Sequence, residues 1–110
     1  NKAIPLLQKV QFDEVNYGLG AKALLLATYY ELDEFDALDS FYESFKIFVN
    51  RNKNITDDIK KSYIQLIKLT KLLTESNSDK LKLQKIKNEI QNSQATSKKW
   101  LLEKVDELLN

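Results

Sequence analysis

Residues 18–50 read GLGAKALLLATYYELDEFDALDSFYESFKIFVN, and this stretch decides the fold class. Between Leu19 and Tyr30 almost every residue is apolar, so apolar side chains surround the helix instead of forming one stripe. Such a helix is predicted to be buried on most sides. After Asp33, apolar residues recur every three or four positions, which predicts an amphipathic helix over 34–50 with an aromatic stripe. The stretch therefore predicts two helices joined by one tight turn.

The turn between these two helices is rich in acidic residues. Asp33 is predicted to accept hydrogen bonds from the first N–H groups of the second helix, and the neighbouring acids place negative charge near the positive end of its dipole. A cation site is the alternative, but a calcium loop needs carboxylates at alternate positions and a glycine for its sharp bend. No glycine occurs in the turn, so we interpret the acids as a helix start. They are Glu31, Asp33, Glu34, Asp36 and Asp39.

The rest of the chain is also helical in its periodicity, and no segment shows the alternation typical of a strand. A break is predicted at Phe12 and Asp13, and Thr56 is predicted to cap a helix. The predicted helices cover 3–11, 13–32 with a start anywhere from 13 to 18, 34–50, 56–74, 79–92 and 96–109. The last three helices each have one apolar side. On the 56–74 helix it consists of Ile59, Tyr63, Leu66, Ile67, Thr70 and Leu73. On the 79–92 helix it consists of Leu83, Ile86 and Ile90, and on the 96–109 helix of Leu101, Val105 and Leu108. An all-α fold of about five to six helices follows.

The chain has 110 residues, which suits a single helical domain over 1–110. It contains no histidine and no cysteine. The chain therefore lacks the commonest general base and the commonest metal ligand, and it can form neither a disulfide nor a thiolate metal site. Two carboxylate pairs, Glu31 with Asp36 and Glu103 with Glu107, are interpreted as exposed, whereas acid–base catalysis needs a carboxyl group in a partly dry pocket. We predict no enzyme activity, no cofactor and no metal site.

Residues 25–50 resemble a degenerate tetratricopeptide unit. Leu25 and Tyr29 have the spacing of the leucine and tyrosine of that family. Phe35 matches the aromatic residue after its turn, and Tyr42 falls on its later aromatic position. The departures are Leu26, Leu38 and Phe45 at positions for small residues, Asp33 for the turn glycine and Asn50 for the closing proline. The resemblance implies antiparallel hairpins stacked as a right-handed array, and the bulky residues imply a wider or differently angled hairpin.

At whole-chain level, two segments resemble the C-terminal portion of uncharacterised bacterial tetratricopeptide-like proteins. They are FDEVNYGLGAKALLLATYYELDEFDALDSFYESFKIFVNRNK and KKWLLEKVDELL. The resemblance implies that further repeats precede Asn1 and that no activity is assigned to the group. In such arrays the first helix of each pair lines the concave face. Lys22 and Tyr30 are therefore candidates for contact with a partner.

Charge is divided unevenly along the chain. Residues 1–50 contain eight acids and four bases, whereas residues 51–110 contain thirteen bases and eight acids. Lysines are predicted on the outer side of the 56–74 helix and crowd the 79–92 helix. The lysines of the 56–74 helix are Lys60, Lys61, Lys68 and Lys71, and those of the 79–92 helix are Lys80, Lys82, Lys85 and Lys87. The four on the 56–74 helix are further candidate partner-binding residues.

The function predicted from these patterns is protein–protein interaction or scaffolding by a non-catalytic helical-repeat module. The predicted partner of the lysine face is an acidic protein surface, such as an upstream repeat of the same chain. The alternative is binding of nucleic acid or another polyanion through the lysines of the 56–74 and 79–92 helices. Against nucleic acid, no aromatic residue is interleaved with these lysines, and Arg51 is the only arginine.

Localisation rests on few observations. The apolar run from Leu19 to Tyr30 is too short for a membrane span, which needs about 20 residues. No targeting segment is apparent, although a signal peptide already removed would leave no trace. The absence of cysteine favours the cytoplasm.

Overall fold

The computed structural model describes the backbone of residues 3–110 and the side chains of residues 14–110. Within that range the protein is all-helical and contains no strand, so the predicted fold class is confirmed at this level. The five helices are α1 (Ala3–Glu31), α2 (Phe35–Arg51), α3 (Asp57–Glu75), α4 (Lys80–Gln91) and α5 (Lys98–Leu109). The chain forms two compact units, residues 1–60 and 61–110, and α3 begins in the first and continues into the second.

The break predicted at Phe12 and Asp13 is wrong, because α1 runs without interruption from Ala3 to Glu31. Neither residue is a glycine or a proline, the two residue types that interrupt a helix strongly. A change in the apolar pattern is not by itself a helix end. The two helices predicted over 3–11 and 13–32 are therefore one.

In the first unit, α1 and α2 form an antiparallel hairpin. Residues further along α1 meet residues earlier on α2: the Lys22 ammonium lies 4.7 Å from the centroid of the Phe48 ring, and the Tyr29 ring lies 5.8 Å from that of Phe41. The Phe45 ring is fully buried and packs 5.6 Å from Phe41. The buried apolar side chains of this unit are Leu19, Leu26, Leu38, Tyr42, Phe45, Val49 and Ile55.

The turn between α1 and α2 ends the first helix and does not cap the second. Asp33 has a left-handed φ of 57°. The Glu34 N–H donates to the Tyr29 carbonyl at 2.9 Å, and the Asp33 N–H donates to the Tyr30 carbonyl at 3.2 Å. This pair of bonds is a Schellman motif, which satisfies the last carbonyls of α1. The predicted capping role of Asp33 is wrong, because Glu34 is the N-cap of α2 and no side chain caps it.

Replacing Asp33 with glycine is expected to stabilise the protein by about 0.5–1 kcal/mol, because glycine adopts a left-handed φ without a steric penalty. The midpoint of urea unfolding, followed by circular dichroism, measures the change. Asp33→Ala is the matched control, since it removes the same charge but keeps the strained backbone. If Asp33→Ala stabilised the protein as much as Asp33→Gly, the carboxylate and not the backbone would be the source of the strain.

In the second unit, α4 and α5 form another antiparallel hairpin. At one end the Lys80 ammonium donates to the Leu108 and Leu109 carbonyls at 3.2 and 2.6 Å, which satisfies groups that the end of α5 leaves unbonded. Further along, the Lys87 ammonium lies 2.8 Å from an Asp106 carboxylate oxygen. The carboxylate of Asp79 caps α4 by accepting hydrogen bonds from two N–H groups of its first turn.

The start of α3 is hydrogen-bonded to the loop between α4 and α5. The Thr96 N–H donates to the Ser62 carbonyl at 3.1 Å, and the Gln94 N–H donates to the side-chain oxygen of Gln65 at 3.1 Å. Since α3 is joined to α4 by a short turn at its other end, these two helices are antiparallel as well. The buried apolar residues of this unit are Leu66, Ile67, Leu69, Leu73, Leu83, Ile86, Ile90, Ala95, Leu101 and Val105.

Candidate functional site

One side of α1 presents apolar residues to solvent, and we call it the outer face of α1. Tyr17 is 81% exposed, Leu24 69% and Leu32 65%. The prediction that this helix is buried on most sides is therefore wrong. The reason is that α2 packs on the opposite side of α1, where Leu19 and Leu26 are fully buried, and does not cover the side of Tyr17, Leu24 and Leu32. The outer face consists of Tyr17, Ala21, Leu24, Leu25, Thr28 and Leu32, which follow each other at steps of one to four residues.

The outer face contains few polar groups. Thr28 belongs to this face, and its hydroxyl donates a hydrogen bond to the Leu24 carbonyl at 2.8 Å. Tyr17 carries its polar group at the end of an apolar ring. Covering a leucine side chain that water now contacts is favourable by roughly 1.5–3 kcal/mol. A row of such residues is typical of a surface that packs against another protein.

Acidic residues flank the outer face at both ends. Glu14 lies one turn before Tyr17, and Asp33 and Glu34 follow Leu32. All three carboxylates are exposed. No basic residue belongs to the outer face. The surface is therefore apolar along its length and negative at its ends.

The predicted partner-contact residues Lys22 and Tyr30 lie away from the outer face. Lys22 is half-buried, with its ammonium above the Phe48 ring, and Tyr30 is half-buried with its ring edge-on to Phe35 at 6.4 Å. Both side chains thus contact aromatic residues of α2. Lys22, but not Tyr30, lines an open groove between α1 and the end of α2.

The predicted lysine surface is only partly available. Lys60 is half-buried and belongs to the first unit. In the second unit, Lys61, Lys68 and Lys71 are exposed and share one side of α3. On α4, Lys80 and Lys87 bind groups of α5, whereas Lys82 and Lys85 are exposed. Two of the four lysines that crowd this helix therefore hold the α4–α5 hairpin together.

An open groove of about 490 Å³ lies in the first unit between α1, the end of α2 and the residues that follow it. Three of its residues are cations: Lys22, Arg51 and Lys53. Sequence reasoning missed Arg51 and Lys53, because a polar connection between helices carries no periodic signal. The remaining lining residues are Ser44, Ile47, Phe48 and Asn52.

A second groove of about 330 Å³ lies between α3 and α4 in the second unit. Its charged residues are Lys68 and Glu89. Neither groove contains two carboxylates, the arrangement that acid–base catalysis by a carboxyl pair requires. The other lining residues are Gln65, Leu69, Asn88, Asn92 and Ser93.

The acidic residues do not gather into a site for a metal ion in the part of the chain that the structure describes. Glu31, Asp36 and Glu103 are exposed, and both Glu107 oxygens accept hydrogen bonds from the Lys104 ammonium at 3.2 Å. Burial raises the pKa of the Tyr63 phenol above its ordinary value. At neutral pH this group is therefore protonated and a poor general base.

The chain was compared with protein-family models, with curated proteins and with solved structures. None of these comparisons gave a match. The tetratricopeptide resemblance thus stays a prediction. Of the residues that carry it, Tyr42 is buried, whereas Leu25 and Phe35 are more than a third exposed. Between residues 14 and 110 we find no helix with the length and apolar character that crossing a bilayer requires.

Proposed function

We propose that this chain is a non-catalytic helical module that binds another protein, with its hairpins stacked in a tetratricopeptide-like array. The observation that supports binding is the outer face of α1, where Tyr17, Leu24 and Leu32 are each more than half exposed. This surface is exposed although its residues are those of a buried helix, and a partner protein that covers it would account for them. The cytoplasm is the proposed compartment, since the chain has no cysteine.

The shape of this surface suits a helix as the partner. From Tyr17 to Leu32 the outer face is about 22 Å long at 1.5 Å per residue. A partner helix would place its apolar residues, spaced by three and four, against this row. The exposed acids at both ends favour lysine or arginine beyond the two ends of that apolar face.

A second copy of the chain is a poorer partner for the outer face. Parallel pairing of two α1 helices would place Glu14 beside Glu14. Antiparallel pairing would place Glu14 beside Asp33 and Glu34 of the other copy. Both arrangements bring like charges together, which opposes association.

The proposal is tested with a fluorescently labelled amphipathic peptide of about 20 residues, which spans about 30 Å as a helix. The peptide has leucines on one face and lysines at both ends, and fluorescence anisotropy follows its titration with the protein. We expect saturable binding. A matched peptide with glutamates at its ends is expected to bind several-fold more weakly, and one with glutamines in place of the leucines is expected not to bind. No binding of the lysine-ended peptide would contradict the proposal.

Polyanion binding is the second candidate function. The exposed side of α3 that carries Lys61, Lys68 and Lys71 supports it. A mobility-shift experiment with duplex DNA at about 50 and 200 mM salt separates the two functions, because a phosphate-driven complex weakens steeply as salt rises. The absence of a shift at the lower salt concentration would rule out the nucleic-acid alternative.

A further inference from the structure

The groove of the first unit is lined by three cations, Lys22, Arg51 and Lys53, and by no acid. Lys22 comes from α1, Arg51 from the last turn of α2, and Lys53 from the connection that follows. The fold therefore brings Lys22 to Arg51 and Lys53, which are close to each other but far from Lys22 in the sequence.

Several contacts hold the walls of this groove in place. The Lys22 ammonium lies 4.7 Å from the Phe48 centroid, a distance at which cation and ring attract each other. The Phe48 ring also packs near the α1 backbone at Gly18, where a Cβ would lie in ordinary van der Waals contact with it, 3.4 Å from Phe48 Cζ. The Asn52 side-chain oxygen accepts a hydrogen bond from the Asn54 N–H at 3.2 Å, which orders the turn that carries Lys53.

The groove combines this charge with an apolar wall. Ile47 is 45% exposed, and Phe48 lies beside it. Its volume of about 490 Å³ lies within the range of sites that take small ligands or short peptide segments. Arg51 can hold a carboxylate with two parallel hydrogen bonds, and a lysine adds a point charge.

We propose that this groove binds an acidic peptide segment in which a glutamate or aspartate adjoins an apolar residue. The carboxylate would lie between Arg51 and the two lysines, and the apolar side chain would lie against Ile47, which is exposed. Inorganic phosphate could use the cations but not the apolar wall. A nucleic acid is disfavoured because no exposed aromatic face is available here for a base, Phe48 being half-buried under Lys22. The proposed segment is a second contact, independent of the outer face of α1.

The experiment uses a fluorescein-labelled peptide with glutamates flanked by leucines, and the same peptide with glutamines in their place. We expect the glutamate peptide to bind and the glutamine peptide to bind at least tenfold more weakly. The double variant Arg51→Gln with Lys53→Gln should lose at least tenfold in affinity for the glutamate peptide. The matched control, Lys46→Gln with Lys99→Gln, removes two exposed cations that line neither groove and should change that affinity less than twofold.

Three outcomes would overturn this proposal. The first is no binding of the glutamate peptide, or equal binding of both peptides. The second is an equal loss of affinity in the two double variants, which would indicate attraction to overall charge. The third is displacement of the peptide by equimolar inorganic phosphate or single-stranded DNA, which would assign the groove to phosphate. Leu24→Glu should retain binding of the glutamate peptide, so a failure at the groove is distinguishable from a failure at the outer face.

Discussion

Phe45→Ala lowers the free energy of unfolding by about 3–5 kcal/mol, the usual loss when a buried phenylalanine is truncated to alanine. The ring is fully buried in the α1–α2 hairpin and packs against Phe41. Its removal leaves a cavity that neighbouring side chains fill only in part. Urea unfolding followed by far-ultraviolet circular dichroism measures the change.

Phe35→Ala is the matched control for this prediction. It removes the same side chain from the same helix, but Phe35 is 48% exposed and has one ring neighbour, Tyr30. We expect a loss of about 1 kcal/mol, consistent with one edge-on aromatic contact and partial burial. Equal losses for the two variants would contradict the full burial of the Phe45 ring in this core.

Leu24→Glu is expected to weaken binding of the lysine-ended amphipathic peptide by at least about tenfold. Removing one leucine from a covered surface loses roughly 1.5–3 kcal/mol, and 1.4 kcal/mol corresponds to a tenfold change in affinity. Stability should change little, because Leu24 is 69% exposed in the free protein. Fluorescence anisotropy measures the affinity and urea unfolding the stability.

Leu81→Glu controls for the general effect of replacing an exposed leucine with an acid. Leu81 is 79% exposed on α4, in the second unit. The residues three and four positions after it on α4, Gln84 and Lys85, are polar and exposed, whereas Leu24 belongs to an apolar row. Its replacement should leave peptide affinity unchanged. If the two variants lost affinity equally, the peptide would not be using the outer face of α1.

Amphipathic helices were predictable from the sequence because their apolar spacing matches the side that the fold buries. On α2 the pattern predicts one apolar side formed by Phe35, Leu38, Phe41, Tyr42, Phe45, Phe48 and Val49. Of these residues, Leu38, Tyr42, Phe45 and Val49 are buried and Phe41 and Phe48 are half-buried, whereas Phe35 is 48% exposed. On α4, all three predicted residues, Leu83, Ile86 and Ile90, are buried. On α3, Ile59 and Tyr63 are half-buried although the pattern places them on the apolar side.

The exposure of α1 was not predictable from the same pattern. A helix that is apolar on every side has more surface to bury than one neighbour covers, and the number of neighbours is a property of the tertiary fold. Leu26 and Leu24 have the same chemistry, but α2 covers the side of Leu26 only. The exposed side of Leu24 therefore emerges only from the structure.

The turn and the groove depend on backbone geometry that composition does not specify. Aspartate is favoured as a helix N-cap and is also among the residues that tolerate a left-handed φ. Asp33 adopts the second of these states. Likewise, Arg51 and Lys53 became neighbours of Lys22 through the antiparallel packing of α1 and α2.

The most direct test of the outer face as a protein-binding surface is methyl NMR of leucine-labelled protein, titrated with the lysine-ended peptide. We predict that the largest chemical-shift changes occur at Leu24, Leu25 and Leu32, and that the methyl groups of Leu81 and of the α4–α5 core remain unchanged. Saturating peptide with no change at those three leucines, or with the largest changes in residues 61–110, would contradict the account.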